Sequence, residues 1–212
     1  GRVLQEKGLD EGDAQFLAGA LLDGWYAPSL RGASGDGIGR WSEEEIAAFL
    51  KTGRNTHGVV FGSMMEAFNN STAFMTDDDL KAIAHYLKSL PRDQGPAWSY
   101  DEGTTALFAG GKAAGNAGAE LYLQKCSHCH GRDGKGRSEF VPPLAGSSSL
   151  LAPSPESVVN IILNGAGRVV ANGVPDSYRM PPYRVQLRDE DIAAIATFVR
   201  QSWGNTGGAV TP

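Results

Sequence analysis

Cysteine is nearly absent: the 212-residue chain has two, Cys126 and Cys129. That excludes a disulfide framework and any four-cysteine zinc or iron–sulfur site supplied by this chain alone. Positive charge is also in deficit, with a net charge of −5, which argues against a nucleic-acid partner. No apolar run approaches the ~20 residues of a membrane span. The opening residues, Gly1-Arg2-Val3-Leu4-Gln5-Glu6, contain no apolar core of a signal peptide and no initial Met, so an exported protein would be read here in a mature or trimmed form. Glycine and proline, in contrast, are plentiful, 28 and 11 residues. They predict many loops and short regular elements. With 41% hydrophobic and 20% charged residues, the composition is that of a globular protein of one large or two smaller domains.

The two cysteines stand in Lys125-Cys126-Ser127-His128-Cys129-His130-Gly131, a C-x-x-C-H pattern, the attachment signature of c-type haem. Two thiols one helical turn apart can each add to a haem vinyl group, and the adjacent His130 can then serve as proximal iron ligand. A thioredoxin-type redox pair would need a βαβ context, which the flanks lack. A zinc half-site would need a second ligand pair, and His57 and His85 are neither near nor paired. His128 lies between the anchoring thiols and is expected on the surface.

The iron of small electron-transfer cytochromes usually takes a second axial ligand, most often Met, on a loop roughly 40–60 residues downstream. Met180 alone follows Cys129. It precedes Pro181-Pro182-Tyr183, a stiff segment that cannot be helical and suits a fixed thioether. The alternative is a methionine that fills a core gap. As in small cytochromes c, a proline carbonyl from Pro142-Pro143-Leu144 would orient the His130 Nδ1–H, with Pro142 and Pro143 both candidates. Leu144, Tyr183 and Arg179 complete the expected cofactor-binding set. Arg168, Arg179 and Arg184 flank the distal loop, where one could pair with a propionate or all three could simply be solvated.

Around these residues the pattern is helical. Gly118, Leu121, Tyr122 and Cys126 mark an amphipathic helix within 115–125. Ser154-Pro155-Glu156 reads as N-cap, first-turn proline and first-turn acid of a helix that Gly165 stops. Arg188-Asp189-Glu190 introduces a last helix, from Asp191 to Trp203, ended by Gly204.

The chain also echoes itself. Ser42-Glu43-Glu44-Glu45-Ile46 aligns with Ser154-Pro155-Glu156-Ser157-Val158, and the same offset carries Gly53 onto Gly165 and the segment 77–88 onto 189–200. Pro28-Ser29-Leu30 and Gly32 match Pro142-Pro143-Leu144 and Gly146 at nearly that offset. Two copies of one domain are expected: 1–95 without a C-x-x-C-H, and 115–212 with it, joined by a linker over 96–114 within the turn-rich stretch from Pro91. Where the first copy should carry its motif stands Leu9-Asp10-Glu11-Gly12-Asp13-Ala14-Gln15. Phe61-Gly62-Ser63-Met64-Met65 occupies its distal-loop position, so Met64 or Met65 would be a ligand only if a haem were present; otherwise both are packing residues. The acidic runs Glu43-Glu44-Glu45 and Asp77-Asp78-Asp79 complement helix dipoles.

Asp23-Gly24-Trp25-Tyr26-Ala27-Pro28, Thr52-Gly53-Arg54-Asn55, the haem motif, Met180-Pro181-Pro182-Tyr183 and Ser202-Trp203-Gly204-Asn205 together resemble one family: the three-haem cytochrome c subunit of membrane-bound bacterial alcohol, gluconate and sorbitol dehydrogenases. The resemblance covers nearly the whole chain, which lacks that family's first domain and second C-x-x-C-H and so corresponds to its C-terminal portion. It implies an all-α fold of two tandem class I cytochrome c-like domains, the first incomplete. It further implies one covalent haem c, electron transfer from a dehydrogenase catalytic subunit to quinone or an oxidase, and a periplasmic location. The resembling subunits are not themselves catalytic. A haem enzyme of peroxidase or thiosulfate-oxidising type, and a docking module, are the competing readings.

Overall fold

The computed structural model describes residues 15–31, 35–91, 96–176 and 178–212. Leu9 to Ala14 and Gly32, singled out above, lie outside them, as does part of the stretch leading from Pro91.

Helices dominate, but three two-stranded antiparallel hairpins accompany them, so the all-α expectation is amended. Strand β1 (Ala20–Leu22) pairs with β2 (Trp25–Ala27). Asp23 (φ 50°) and Gly24 (φ 77°) form the turn between them. Positive φ at both central residues is the type I′ turn that Asp-Gly favours. The hairpin β5 (Val170–Ala171) and β6 (Val174–Pro175) turns the same way at Asn172 (φ 53°) and Gly173 (φ 77°). Between these two in sequence lie β3 (Arg54–Asn55) and β4 (Gly58–Val59).

In the N-terminal half, α1 (Glu43–Thr52) opens on a capping box. Glu45 N–H donates to Ser42 Oγ at 3.1 Å and Ser42 N–H donates to Glu45 Oε2 at 2.9 Å. Gly53, at φ 74°, ends it. Helix α2 (Met64–Asn70) leads through a 3₁₀ turn to α3 (Asp77–Ser89), capped by Thr76. Leu80, Ala84 and Leu87 recur on one face of α3 and are buried. Ile38, Ile46, Ala84, Leu87 and Leu90 make the core between α1 and α3.

The C-terminal half holds α4 (Gly103–Ala109), α5 (Ala117–Lys125), the single turn α6 (Ser127–His130), α7 (Ser148–Leu151), α8 (Glu156–Asn164) and α9 (Asp189–Arg200). Helices α5 and α9 cross at Gly118, where a Cβ would lie 2.3 Å from the Ala194 carbonyl oxygen and 2.8 Å from Phe198 Cβ. Only a residue without a side chain permits that approach. Next to the crossing, Tyr122 packs on Phe108, Phe198 and Trp203 with ring centroids 5.9, 5.5 and 5.2 Å away. The stretch 96–114, expected as a linker, thus carries α4 and adds Phe108 and Ala113 to this core.

Two helix ends differ from expectation. Ser154 does not cap the α8 backbone: its hydroxyl bonds the Glu156 carboxylate, and Pro155, in the helical region, stands at the N-cap. Helix α9 stops at Arg200 rather than Trp203, because other groups claim its last carbonyls. Ser202 Oγ donates to Phe198 O at 2.7 Å and Asn205 Nδ2 to Val199 O at 2.8 Å.

The halves meet along β2 and α8. Tyr26 N–H donates to Ser157 Oγ at 2.9 Å, whose hydroxyl donates back to Tyr26 O at 2.8 Å. Val169 is buried with Val60 and Phe68 of the N-terminal half. Among the described residues no helix is long and apolar enough to cross a membrane.

Candidate functional site

Helix α5 delivers the motif. Cys126 closes it, its N–H bonding Tyr122 O at 2.9 Å. The chain then tightens into α6, with Cys129 N–H and His130 N–H both donating to Cys126 O, at 3.1 and 3.0 Å. Both cysteines are free thiols, Cys126 half-buried and Cys129 exposed, and His128 is exposed as expected. His130 Nδ1 lies 3.1 Å from Pro142 O. A carbonyl oxygen can only accept, so Nδ1 carries the proton and the neutral ring keeps its lone pair on Nε2. Burial holds the His130 imidazole below its ordinary value, against the pull of the Pro142 carbonyl, so the ring is neutral at neutral pH. Of the two candidate prolines, Pro142 makes this contact; Pro143 is half-buried beside it. Leu144 packs against the C-terminal core, and its N–H donates to Gly134 O at 2.7 Å.

Burial, with Cys129 close by, pushes the Cys126 thiol up to about 12. At neutral pH it therefore stands as the neutral thiol. Among the described residues no three His, Cys, Asp or Glu cluster to hold a metal ion.

The distal residues come from the loop after β6. Met180 is half-buried and packs against the same core as Cys126 and Leu144. Its carbonyl accepts from Ala166 N–H at 3.0 Å, and it presses so closely on Gly165 (φ 69°) that a Cβ there would lie 2.4 Å away. Tyr183 is buried and ties the site together. Its N–H donates to Ile162 O at 3.0 Å, at the end of α8. Its hydroxyl donates to Lys125 O at 2.9 Å, beside Cys126. Arg168, Arg179 and Arg184 are exposed, and Arg184 bonds Asn164 Oδ1 at 2.9 Å.

Cys126 and Met180 pack on one core, and with the exposed Cys129 and the His130 imidazole protonated at Nδ1 they supply the two thiols, the imidazole and the thioether that a His/Met-ligated c-type haem uses.

Sequence reasoning assigned no role to the residues that brace this loop system. Tyr122 OH donates to Gly131 O at 2.6 Å, and Trp203 Nε1 donates to Arg132 O at 3.1 Å. Asn205 Oδ1 accepts from Gly146 N–H at 2.8 Å while its Nδ2 donates to Leu144 O at 3.0 Å, holding the Pro142–Gly146 turn against α9. The available signal was aromatic residues with polar tips inside an apolar helix pattern.

In the N-terminal half, Met64 is exposed at the start of α2. Met65 packs with Val60, Phe68 and Val169 and lies against Gly167.

Residues 115–203 match the family described as Cytochrome c. The cytochrome c subunit of the quinone alcohol dehydrogenase of Gluconacetobacter polyoxogenes is 44% identical over 217 residues, covering 100% of this chain and 46% of that protein. The gluconate 2-dehydrogenase cytochrome c subunit of Pantoea cypripedii is 37% identical over 210 residues, covering 96% and 47%. The chain thus spans about half the length of these curated relatives. Cytochrome c-552 of Thermus thermophilus is 35% identical over 104 residues, 69% of its length. With its C-x-x-C-H on α5–α6 and those matches, the chain belongs to the cytochrome c family, whose members carry covalently bound haem c.

Proposed function

We propose that the chain transfers single electrons through one haem c attached at Cys126 and Cys129, with His130 and Met180 as axial ligands. The observation that carries this is the bond from His130 Nδ1 to Pro142 O, which leaves Nε2 free as a donor to iron. Bound there, the haem supplies a one-electron iron couple. The chain's own residues do the rest. Pro142 fixes the ring orientation, Tyr183 holds the distal loop to the proximal helix, and Pro143, Leu144 and the core around Tyr122 exclude water. Arg179 stands beside Met180 as a partner for a propionate.

The wider role follows the relatives. Several are named as cytochrome subunits of alcohol, gluconate and fructose dehydrogenases. On that likeness, this chain relays electrons from a dehydrogenase catalytic subunit to quinone or an oxidase at the periplasmic face. It is built as two cytochrome c-like domains, 1–95 and 115–212, the first without a haem motif. Supporting this, each half has a helix ended by a positive-φ glycine, Gly53 or Gly165, followed by a small hairpin and then by a helix with an acidic first turn.

A spectroelectrochemical titration tests the electron-transfer reading. A low-spin haem with a positive midpoint potential is expected, and Met180→Ala should lower the potential and open the sixth position. A five-coordinate high-spin spectrum or a strongly negative midpoint in the unmodified protein would overturn it.

A further inference from the structure

The N-terminal half grips the segment that carries Met180. Arg54, the first residue of β3, pairs its guanidinium with Asp176, just past β6. Their side chains are only 11% and 9% exposed. The same guanidinium lies over the Phe140 ring, 4.6 Å from its centroid. Phe140 belongs to the loop between His130 and Pro142, and its ring meets that of Tyr178 at 6.1 Å. One cation therefore touches both the loop that leads to Pro142 and the loop that leads to Met180.

Neighbouring contacts favour the same seat for β5–β6. Asp176 N–H donates to Val169 O at 2.9 Å, Val170 N–H donates to Asn69 Oδ1 at 3.1 Å, and Val169 is buried against Val60 and Phe68. A nearly buried ion pair tolerates loss of either partner badly, since the remaining charge must regain water. Asp176 can regain it only by lifting its segment, four residues before Met180, away from β3.

We propose that Arg54 is a positioning residue for Met180. Through Asp176 it seats the β5–β6 segment so that the thioether stays at its place, and axial ligation in the C-terminal half depends on a side chain of the cysteine-free half. The inference rests on the reading of Met180 as a ligand.

The test is an imidazole titration of the ferric holoprotein of residues 1–212, followed through the absorption band specific to Met-ligated ferric haem. Imidazole binds only when Met180 has left, so its apparent affinity reports the fraction of open loop. Arg54→Gln and Asp176→Asn should each tighten imidazole binding about tenfold, as for a tenfold rise in that fraction. The double variant should do no more than either single one, because both cut the same contact. Arg54→Lys, which keeps the charge, should recover much of the loss. Asp176→Asn, nearly isosteric, carries the test if Arg54→Gln fails to fold. Affinities within twofold of the unmodified protein, or effects that add in the double variant, would overturn the inference while leaving Met180 ligation intact. An unmodified protein without the Met band would overturn the ligand reading, and this inference with it.

Discussion

Two cations at equivalent places in the two halves do one job with different chemistry. Near the end of α3, Lys88 Nζ donates to Gly39 O at 3.1 Å and Trp41 O at 2.7 Å, the carbonyls that lead into α1. In the last turn of α9, Arg200 donates to Ala152 O at 2.9 Å and to Ser154 O at 3.4 Å, the carbonyls that lead into α8. It also reaches Gly208 O at 2.9 Å. Lys88 is half-buried, whereas Arg200 is 1% exposed. A lysine is a compact point charge, while the arginine fork can serve several acceptors at once. The difference extends to the surroundings. The half with the C-x-x-C-H closes on a continuous aromatic core around Tyr122 and Trp203, and the other half leaves Met64 exposed where a distal ligand would stand. On the proposed two-domain reading, one helical frame stands both with and without the haem-binding residues.

Cutting the two cations would sharpen the contrast most. Arg200→Met strands the buried Ala152 carbonyl and the part-buried carbonyls of Ser154 and Gly208 and should lower unfolding stability by about 3 kcal/mol, whereas Lys88→Met should cost about 1 kcal/mol, both read by denaturant titration. The glycines give the next largest separation. Gly118→Ala drives a Cβ into the Ala194 carbonyl and should cost about 2 kcal/mol in thermal unfolding. Gly58→Ala, with nothing within 4 Å of the added carbon, should leave the melting temperature nearly unchanged.

The smallest effect concerns acid. Burial works to raise the Glu45 carboxyl, but hydrogen bonds from Thr56, the Ser42 backbone and His57 outweigh it and hold it below the ordinary glutamate value. A depressed folded-state value adds stability that is complete above the unfolded value, ~4.3, and is lost as pH falls through the folded one. Glu45 is partly exposed, so the contribution is under about 1 kcal/mol. Fluorescence of Trp41, stacked on His57 at 5.2 Å, should report acid unfolding of the N-terminal half. Glu45→Gln should flatten that pH dependence.

The candidate haem residues were legible where they are written in local spacing. Cys126, Cys129, His130 and Met180 stand in short motifs, and capping at Ser42 follows from four consecutive residues. The choice between Pro142 and Pro143 was not legible, because it depends on which carbonyl the loop turns toward His130. Asn205 and Trp203 were illegible as braces because their partners, Gly146 and Arg132, stand 59 and 71 residues away. Helix α4 was hidden for another reason: its seven residues open on Gly103, Thr104 and Thr105, weak helix formers, and burial of Phe108 supports so short a helix. The hairpins did leave a trace, in Asp23-Gly24 and Asn172-Gly173, that helical periodicity overshadowed.

By the proposed function, one half holds a covalent haem and the other holds none. Intact mass spectrometry of the denatured protein, produced alongside a haem-attachment system, tests it most directly. The polypeptide plus one haem is expected, reduced to bare polypeptide by Cys126→Ala with Cys129→Ala. Bare polypeptide from the unmodified chain, or a mass corresponding to two haems, would contradict it.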